Sequence, residues 1–165
     1  ADAPLVIGVL GVNPFGSYLA ETVTGEKVNG HPVIVQYYDH PEEIRNCHIL
    51  FIGLTDTQKS EQVISGLKDR SILTISDSPG FLMLGGMVKF FTKKNNIRFE
   101  INPEAAKSAN LALSSKLLRV AEIFDPSKKG KHVIQRYSYK KKTDAWDHTD
   151  LRYGAIGNLH QLLWL

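Results

Sequence analysis

Apolar positions in the first half of the chain fall into four short runs separated by mixed polar stretches. Each run is rich in β-branched or aromatic residues, which favour strands, and each is too short for a buried helix. These features predict four buried strands. The runs are residues 5–10, 32–38, 48–52 and 71–75.

The stretches between these runs carry helix signals. Residues 15–24 precede a glycine, Pro41 is followed by two glutamates, and residues 57–68 have apolar positions at helical spacing. The predicted order is therefore βαβαβαβ. This alternation is typical of an α/β fold with a mixed, mostly parallel sheet and helices on both faces.

The pattern changes after residue 86. Two further strand-like runs, 87–92 and 97–101, flank the turn-forming residues 93–96, which predicts a β-hairpin. A short helix is expected to begin at Pro103.

A longer C-terminal helix is predicted to start at Ser114. Its apolar side would carry Leu117, Leu118, Ala121 and Phe124, and Asp125-Pro126 would end it. We therefore predict an α/β domain over residues 4–125, followed by a separate basic tail over 126–165.

Charge is distributed unevenly along the chain. Residues 1–125 carry 12 Lys and Arg against 14 Asp and Glu, whereas residues 126–165 carry 8 against 3. The net charge of +3 therefore belongs to the tail, and we predict no nucleic-acid partner for the domain. No apolar run approaches the roughly 18 residues that cross a bilayer, so no transmembrane segment is predicted.

Glycines after the first strand suggest a dinucleotide site, because Gly8, Gly11 and Gly16 precede Asp39 at the end of the second strand. Their spacing differs from G-x-G-x-x-G, and Pro14 removes a backbone amide from the turn. The interpretation favoured here is that these glycines form tight turns. We accordingly predict no cofactor.

Other chemistry is sparse. Asp39, Asp56 and Asp77 could meet at the carboxyl ends of the strands, as in a receiver-type fold, but no acid pair follows the first strand. The six histidines form no metal-binding spacing, and Cys47 is the only cysteine. We predict no metal site and no catalytic residue.

The stretch SDSPGFLMLGGMVKFF, residues 76–91, is the most distinctive in the chain. It has two interpretations: a crossover turn whose glycines allow close backbone approach, or a groove for a ligand or a partner protein. The candidate groove residues are Asp77, Pro79, Gly80, Phe81, Gly85 and Gly86, with Arg98 and Asn102 on the next strand.

Six motifs, taken in this order, resemble the YfiR-type periplasmic regulatory domain over about residues 4 to 124. They are LVIGVLG with NPFG at 5–16, CHILFIG at 47–53, ILTISD with PGF at 72–81, GGMVKF at 85–90, IRFEIN at 97–102 and LSSKLLR at 113–119.

The resemblance implies a periplasmic, non-enzymatic regulator that forms a homodimer. Such a protein would bind the periplasmic sensor domain of an inner-membrane diguanylate cyclase and repress it, and so control cyclic-di-GMP and biofilm. The family's N-terminal helix is expected to be missing here. Some members carry redox-responsive disulfides; Cys47 has no partner in this chain, which leaves an intermolecular disulfide.

Two other functions are compatible with the residues. One is a small-ligand-binding sensory domain of a signalling or transport system, which a metabolite would stabilise against heat. The other is a nucleotide-dependent enzyme, which a dinucleotide would protect.

Overall fold

The structure, a computed structural model, describes residues 3–128, and it has the predicted α/β architecture. The helices are short, so their stability comes mainly from packing against the sheet. The strands are β1 Leu5–Gly11, β2 Lys27–Val28, β3 His31–Tyr38, β4 Ile49–Gly53, β5 Leu73–Ser76, β6 Val88–Lys93, β7 Asn96–Ile101 and β8 Glu122–Ile123; the helices are α1 Tyr18–Val23, α2 Thr57–Gly66, α3 Pro103–Ser108 and α4 Ser115–Val120.

All strands of the described residues belong to one sheet in the order β2-β3-β1-β4-β5-β6-β7-β8. The five strands from β3 to β6 in this order are parallel, which confirms the mostly parallel sheet. β2 and β7 run antiparallel to their neighbours β3 and β6, whereas β8 is parallel to β7. The chain reverses its winding direction between β1 and β4, which defines a topological switch point there.

Apolar side chains form one core on each face of the sheet. On the first face, Leu19 of α1, Ala106 of α3 and Leu117 of α4 cover β1, β4 and β5. On the second face, Ile64 of α2 and Phe81 cover the alternate residues of the same strands. Helices therefore lie on both faces, as predicted.

Two predicted helices are shorter than the sequence suggested. The Asn13 side chain accepts a hydrogen bond from Phe15 N at 3.0 Å and donates one to Gly16 O at 2.9 Å. These bonds fold residues 13–16 into a turn, so the helix predicted over 15–24 begins only at Tyr18. The helix predicted at Pro41 is a single 3-10 turn, Pro41–Glu43.

The predicted hairpin is confirmed, and a second hairpin precedes it. Lys94 and Asn95 take left-handed backbone conformations between β6 and β7, and Asn29 and Gly30 do so between β2 and β3. Such residue pairs make the tight turns that match strand twist. Strand β2 was not predicted, because its two residues carry no alternating pattern of their own.

The C-terminal helix was predicted wrongly beyond Val120. The chain leaves α4 there and forms β8, so Phe124 does not lie on the helix. Its backbone N–H donates to Ile101 O at 2.8 Å, and its ring packs at the border of the second core. Helical spacing alone could not reveal that pairing with β7 outweighs one more helical turn. The tail prediction for residues 126–165 falls almost entirely outside the described residues.

Gly8, in the middle of β1, is required by its neighbours. A Cβ atom built there would lie 2.6 Å from the Tyr38 ring and 2.8 Å from the Cys47 sulfur. Cys47 itself is 8% exposed, and its Sγ–H donates to Ile49 O at 3.1 Å. Burial raises the pKa of the Cys47 thiol to about 11. The cysteine thus fills space next to the glycine in the second core.

Gly8→Ala is expected to lower the free energy of unfolding by about 1–3 kcal/mol, since overpacking displaces buried neighbours. Gly66→Ala, at the end of α2, is the matched control, because a Cβ there meets nothing within 4 Å. It should leave stability unchanged or raise it by up to about 1 kcal/mol. Urea denaturation of both variants measures the difference, and equal stabilities would contradict the packing argument.

The Cys47 thiol is expected to resist modification in the folded protein. A pKa of about 11 in place of 9.0 lowers the thiolate population roughly hundredfold at mildly alkaline pH, and burial slows access further. Ellman's reagent should therefore react slowly with the native chain and quickly with the guanidinium-unfolded chain. Reactivity should rise with pH as the thiol ionises. Rapid native labelling would instead show the accessibility that an intermolecular disulfide needs; that disulfide stays a prediction.

Candidate functional site

Ligands of open α/β sheets usually bind at the carboxyl ends of the strands, at the switch point. Here backbone closes that position between β1 and β4. Val12 N donates to Gly53 O at 2.9 Å, and a Cβ at Gly53 would lie 2.0 Å from Val12 O. The backbone segments that leave β1 and β4 thus stay in contact at the position where ligands of such sheets usually bind. This contact argues against the dinucleotide interpretation of Gly8, Gly11 and Gly16.

Two serine side chains hydrogen-bond the loop after β5 to the end of β4 and the loop that follows it. Ser76 Oγ donates to Ile52 O at 2.8 Å, and Ser78 Oγ donates to Leu54 O at 3.3 Å. The contact between Val12 and Gly53 then joins the loop after β1 to the same structure. We call residues 12–14, 54–56 and 77–80 together the carboxyl rim.

The carboxyl rim combines apolar and acidic groups on an exposed surface. Val12 is 67% exposed, the largest exposed fraction among the large hydrophobic residues of the part of the chain that the structure describes, and Pro14 and Pro79 are also exposed. Asp56 and Asp77 supply negative charge, and the three rim segments contain no lysine or arginine. A surface of this kind suits contact with a protein whose matching surface is apolar and basic.

The two rim carboxylates have different environments. Asp56 Oδ1 accepts hydrogen bonds from Gln58 N at 2.9 Å and Lys59 N at 3.1 Å, so it caps the start of α2. Asp77 is exposed as a residue, yet neighbouring protein desolvates its carboxyl group and raises its pKa. The receiver-type interpretation needs Asp56 free at the site, and its capping role opposes that.

Phe81 and Gly86 form a packed unit that closes the crossover after β5. Phe81 is 1% exposed, and a Cβ at Gly86 would lie 2.3 Å from its ring. Gly86 N also donates to Phe81 O at 3.0 Å, and Gly85 takes a left-handed conformation that ends the intervening turn. These contacts match the crossover interpretation of this stretch. Gly80 is also left-handed, on the exposed rim.

Asn102 is hydrogen-bonded to the same crossover. Its Nδ2 donates to Leu82 O at 3.4 Å, while its Oδ1 accepts from Ala105 N at 3.3 Å and caps α3. The side chain is therefore engaged in structural hydrogen bonds. A ligand could use it only by displacing one of them.

The structure separates the predicted groove residues into three places. Asp77, Pro79 and Gly80 lie on the carboxyl rim; Phe81, Gly85, Gly86 and Asn102 lie in the packed crossover. Arg98 is exposed on β7 opposite Phe91. Asn102 was predicted to lie on this strand, but it lies just beyond its end at the start of α3, roughly 13 Å along the chain from Arg98. The eight residues thus do not line one groove in the described residues, and their role in binding stays a prediction. Sequence reasoning missed Val12, whose only signal is an apolar residue directly after a strand-ending glycine.

No group of three or more His, Cys, Asp or Glu side chains in residues 3–128 could hold a metal ion. In the same residues, no helix is both long and apolar enough to cross a membrane. A search of curated proteins found no match to this chain.

A family model described as YfiR/HmsC-like matches residues 1–122, nearly the whole of the described domain. The match spans the switch point, the carboxyl rim, the packed crossover and the hairpin. It also agrees with the six motifs that the sequence presents in order. The chain therefore belongs to the YfiR/HmsC-like family.

Proposed function

We propose that this protein is a periplasmic regulator that binds the sensor domain of an inner-membrane diguanylate cyclase and represses it. Family membership supports this proposal, since YfiR-like proteins are regulators and not enzymes. Repression would lower cyclic-di-GMP and with it biofilm formation. The alternative, a small-ligand-binding sensory domain, would need a site elsewhere than at the closed switch point.

The closed switch point is the structural observation that favours a protein partner. Backbone contact between Val12 and Gly53 fills the position where open α/β sheets usually take small ligands. The Val12 side chain is 67% exposed, and Pro14 and Pro79 of the same rim are exposed too. A partner that buried this apolar surface would gain free energy from removing it from water.

Repression then follows from differential binding. If the sensor domain exchanges between an active and an inactive arrangement, a regulator that prefers the inactive one shifts the population toward it. A shift from mostly active to mostly inactive needs a preference on the order of 10⁴-fold. The regulator needs no chemistry of its own, which agrees with the sparse chemistry of the sequence.

Val12→Lys is expected to weaken binding of an isolated cyclase sensor domain at least about tenfold, because it buries a charge at the contact. Val120→Lys is the matched control. Val120 is 58% exposed at the end of α4, beside β8, and β8 is separated from β1 by four strands. Calorimetric titration with the isolated periplasmic sensor domain of a membrane diguanylate cyclase from the same genome measures both. Equal affinities for the two variants would remove the carboxyl rim from the interface, and no binding by the unmodified chain would reject the function.

Asp77→Lys is expected to slow association and to remove most of the effect of salt on it, because the new lysine cancels the charge of Asp56 and leaves the rim without net charge. The unmodified rim is acidic, so added salt should slow binding to a basic partner surface. Asp69→Lys changes the charge equally but lies in the connection between α2 and β5, at the opposite end of the sheet. Stopped-flow measurements of the association rate at several ionic strengths give the salt dependence of each variant. Identical salt dependence in both variants would contradict an electrostatic role of the rim.

A further inference from the structure

The hairpin of β6 and β7 extends beyond the strands on either side of it. Strand β5 pairs along β6 only as far as Lys89, and β8 pairs along β7 only from Glu100 onward. We call residues 89–99 the hairpin arm. Beyond Lys89, its four residue pairs have no other strand beside them among residues 3–128. The arm therefore projects roughly 13 Å past the end of β5.

The positive charge of the domain is concentrated on this arm. The arm carries Lys89, Lys93, Lys94 and Arg98 and no acidic residue. Residues 1–125 contain 12 Lys and Arg, so 8 remain outside the arm, against 14 Asp and Glu. A segment with a charge of +4 thus stands on a domain whose other residues sum to −6. A local field of this sign attracts an anionic partner.

Three of the four cations have no carboxylate partner. Lys93 Nζ lies 2.9 Å from Glu122 Oε1, which neutralises one charge at the base of the surface. No ion pair involves Lys89, Lys94 or Arg98 within residues 3–128. Lys94 and Arg98 are exposed, and Lys89 is partly exposed. These three charges are therefore available to an anionic surface that approaches the arm.

The two faces of the arm differ. Phe90 and Phe99 lie on one face and are buried in the core on the first face of the sheet, which anchors the arm to the domain. The opposite face carries Phe91, with Arg98 directly across from it and Lys93 two residues further along β6. Phe91 is partly exposed. A partly exposed aromatic ring among cations is a combination that peripheral membrane proteins use at the bilayer surface.

The arm points toward the same end of the sheet as the carboxyl rim. Because β6 is parallel to β5, the tip of the arm at residues 93–96 extends past the carboxyl ends of the strands. The choice of a lipid surface as the anionic partner rests on the proposed function. A regulator that binds the sensor of an inner-membrane protein through this end stays within reach of the bilayer.

We propose that the hairpin arm binds anionic phospholipid headgroups at a bilayer surface. The three open cations contact the headgroup phosphates, and the Phe91 ring lies at the level of the headgroups. Flexible lysine side chains suit such a surface, because mobile headgroups adjust to them. This contact holds the regulator at the surface that carries its partner, and so raises the effective concentration of one for the other.

Binding of the full chain to vesicles tests the proposal. The probe is a vesicle of phosphatidylglycerol mixed with phosphatidylcholine, and pure phosphatidylcholine is the uncharged reference. The double variant Lys94→Gln, Arg98→Gln should weaken binding at least about tenfold, since each cation near an anionic surface adds to the affinity. Lys68→Gln with Lys107→Gln is the matched control, because both residues are exposed outside the arm. It removes the same charge and leaves residues 126–165 unchanged.

The control double variant should bind nearly as tightly as the unmodified chain. Equal weakening by the two double variants would overturn the proposal, because net charge alone would then explain the binding. An unmodified chain that does not bind anionic vesicles at low ionic strength overturns it as well. Arg98→Lys keeps the charge and should keep the affinity; a loss in that variant would contradict recognition by charge.

A fluorescent label at the tip tests whether the arm itself meets the bilayer. Asn96→Cys in the full chain carrying Cys47→Ser places the single thiol at the end of the arm. Asp69→Cys in the same background is the control at the opposite end of the sheet. A nitrobenzoxadiazole label should brighten on anionic vesicles at Asn96→Cys and stay unchanged at Asp69→Cys. Any other result overturns the proposal.

An acidic protein surface is the alternative occupant of the arm. If the Lys94→Gln, Arg98→Gln variant lost affinity for the isolated sensor domain and kept its affinity for anionic vesicles, the arm would belong to the protein interface and the lipid proposal would be rejected. The vesicle assays contain no sensor domain. Their failure therefore leaves the proposed function intact, and a failure of sensor binding leaves the vesicle result unchanged.

Discussion

The close approach of β1 and β4 at their carboxyl ends determines how the rest of this surface is arranged. Gly11 and Gly53 lie in register, and Val12 N bonds to Gly53 O across them. A side chain at position 53 would collide with the Val12 carbonyl, so the contact depends on glycine. Because the contact fills the switch point, the loops after β1, β4 and β5 form one continuous exposed rim. A fold that commonly encloses a cofactor here presents an outer surface instead.

Much of the fold could be predicted because its parallel strands are continuous apolar runs. Leu50 and Ile75 lie in strands buried on both faces, and such strands carry a strong local signal. The hairpin turn at Lys94 and Asn95 was equally visible, since asparagine tolerates the left-handed conformation it adopts there. These features are encoded within a few residues.

The missed elements depend on distant partners. Strand β8 exists because Glu122 and Ile123 meet β7, and nothing near them in the chain indicates a strand. The candidate groove combined residues that are near one another in sequence, whereas Arg98 lies within β7 and Asn102 lies beyond its end, where it caps α3. Val12 likewise contacts Gly53, which is 41 positions along the chain. Periodicity carries no information about such contacts.

The short helices have a consequence for the order in which the molecule forms. Helices α1, α3 and α4 have six residues each, well below the length at which a helix persists alone in water. Parallel strands cannot pair until a whole crossover has closed, so early structure is confined to the two tight hairpins. The nascent chain should therefore remain largely unfolded until most of the domain has emerged.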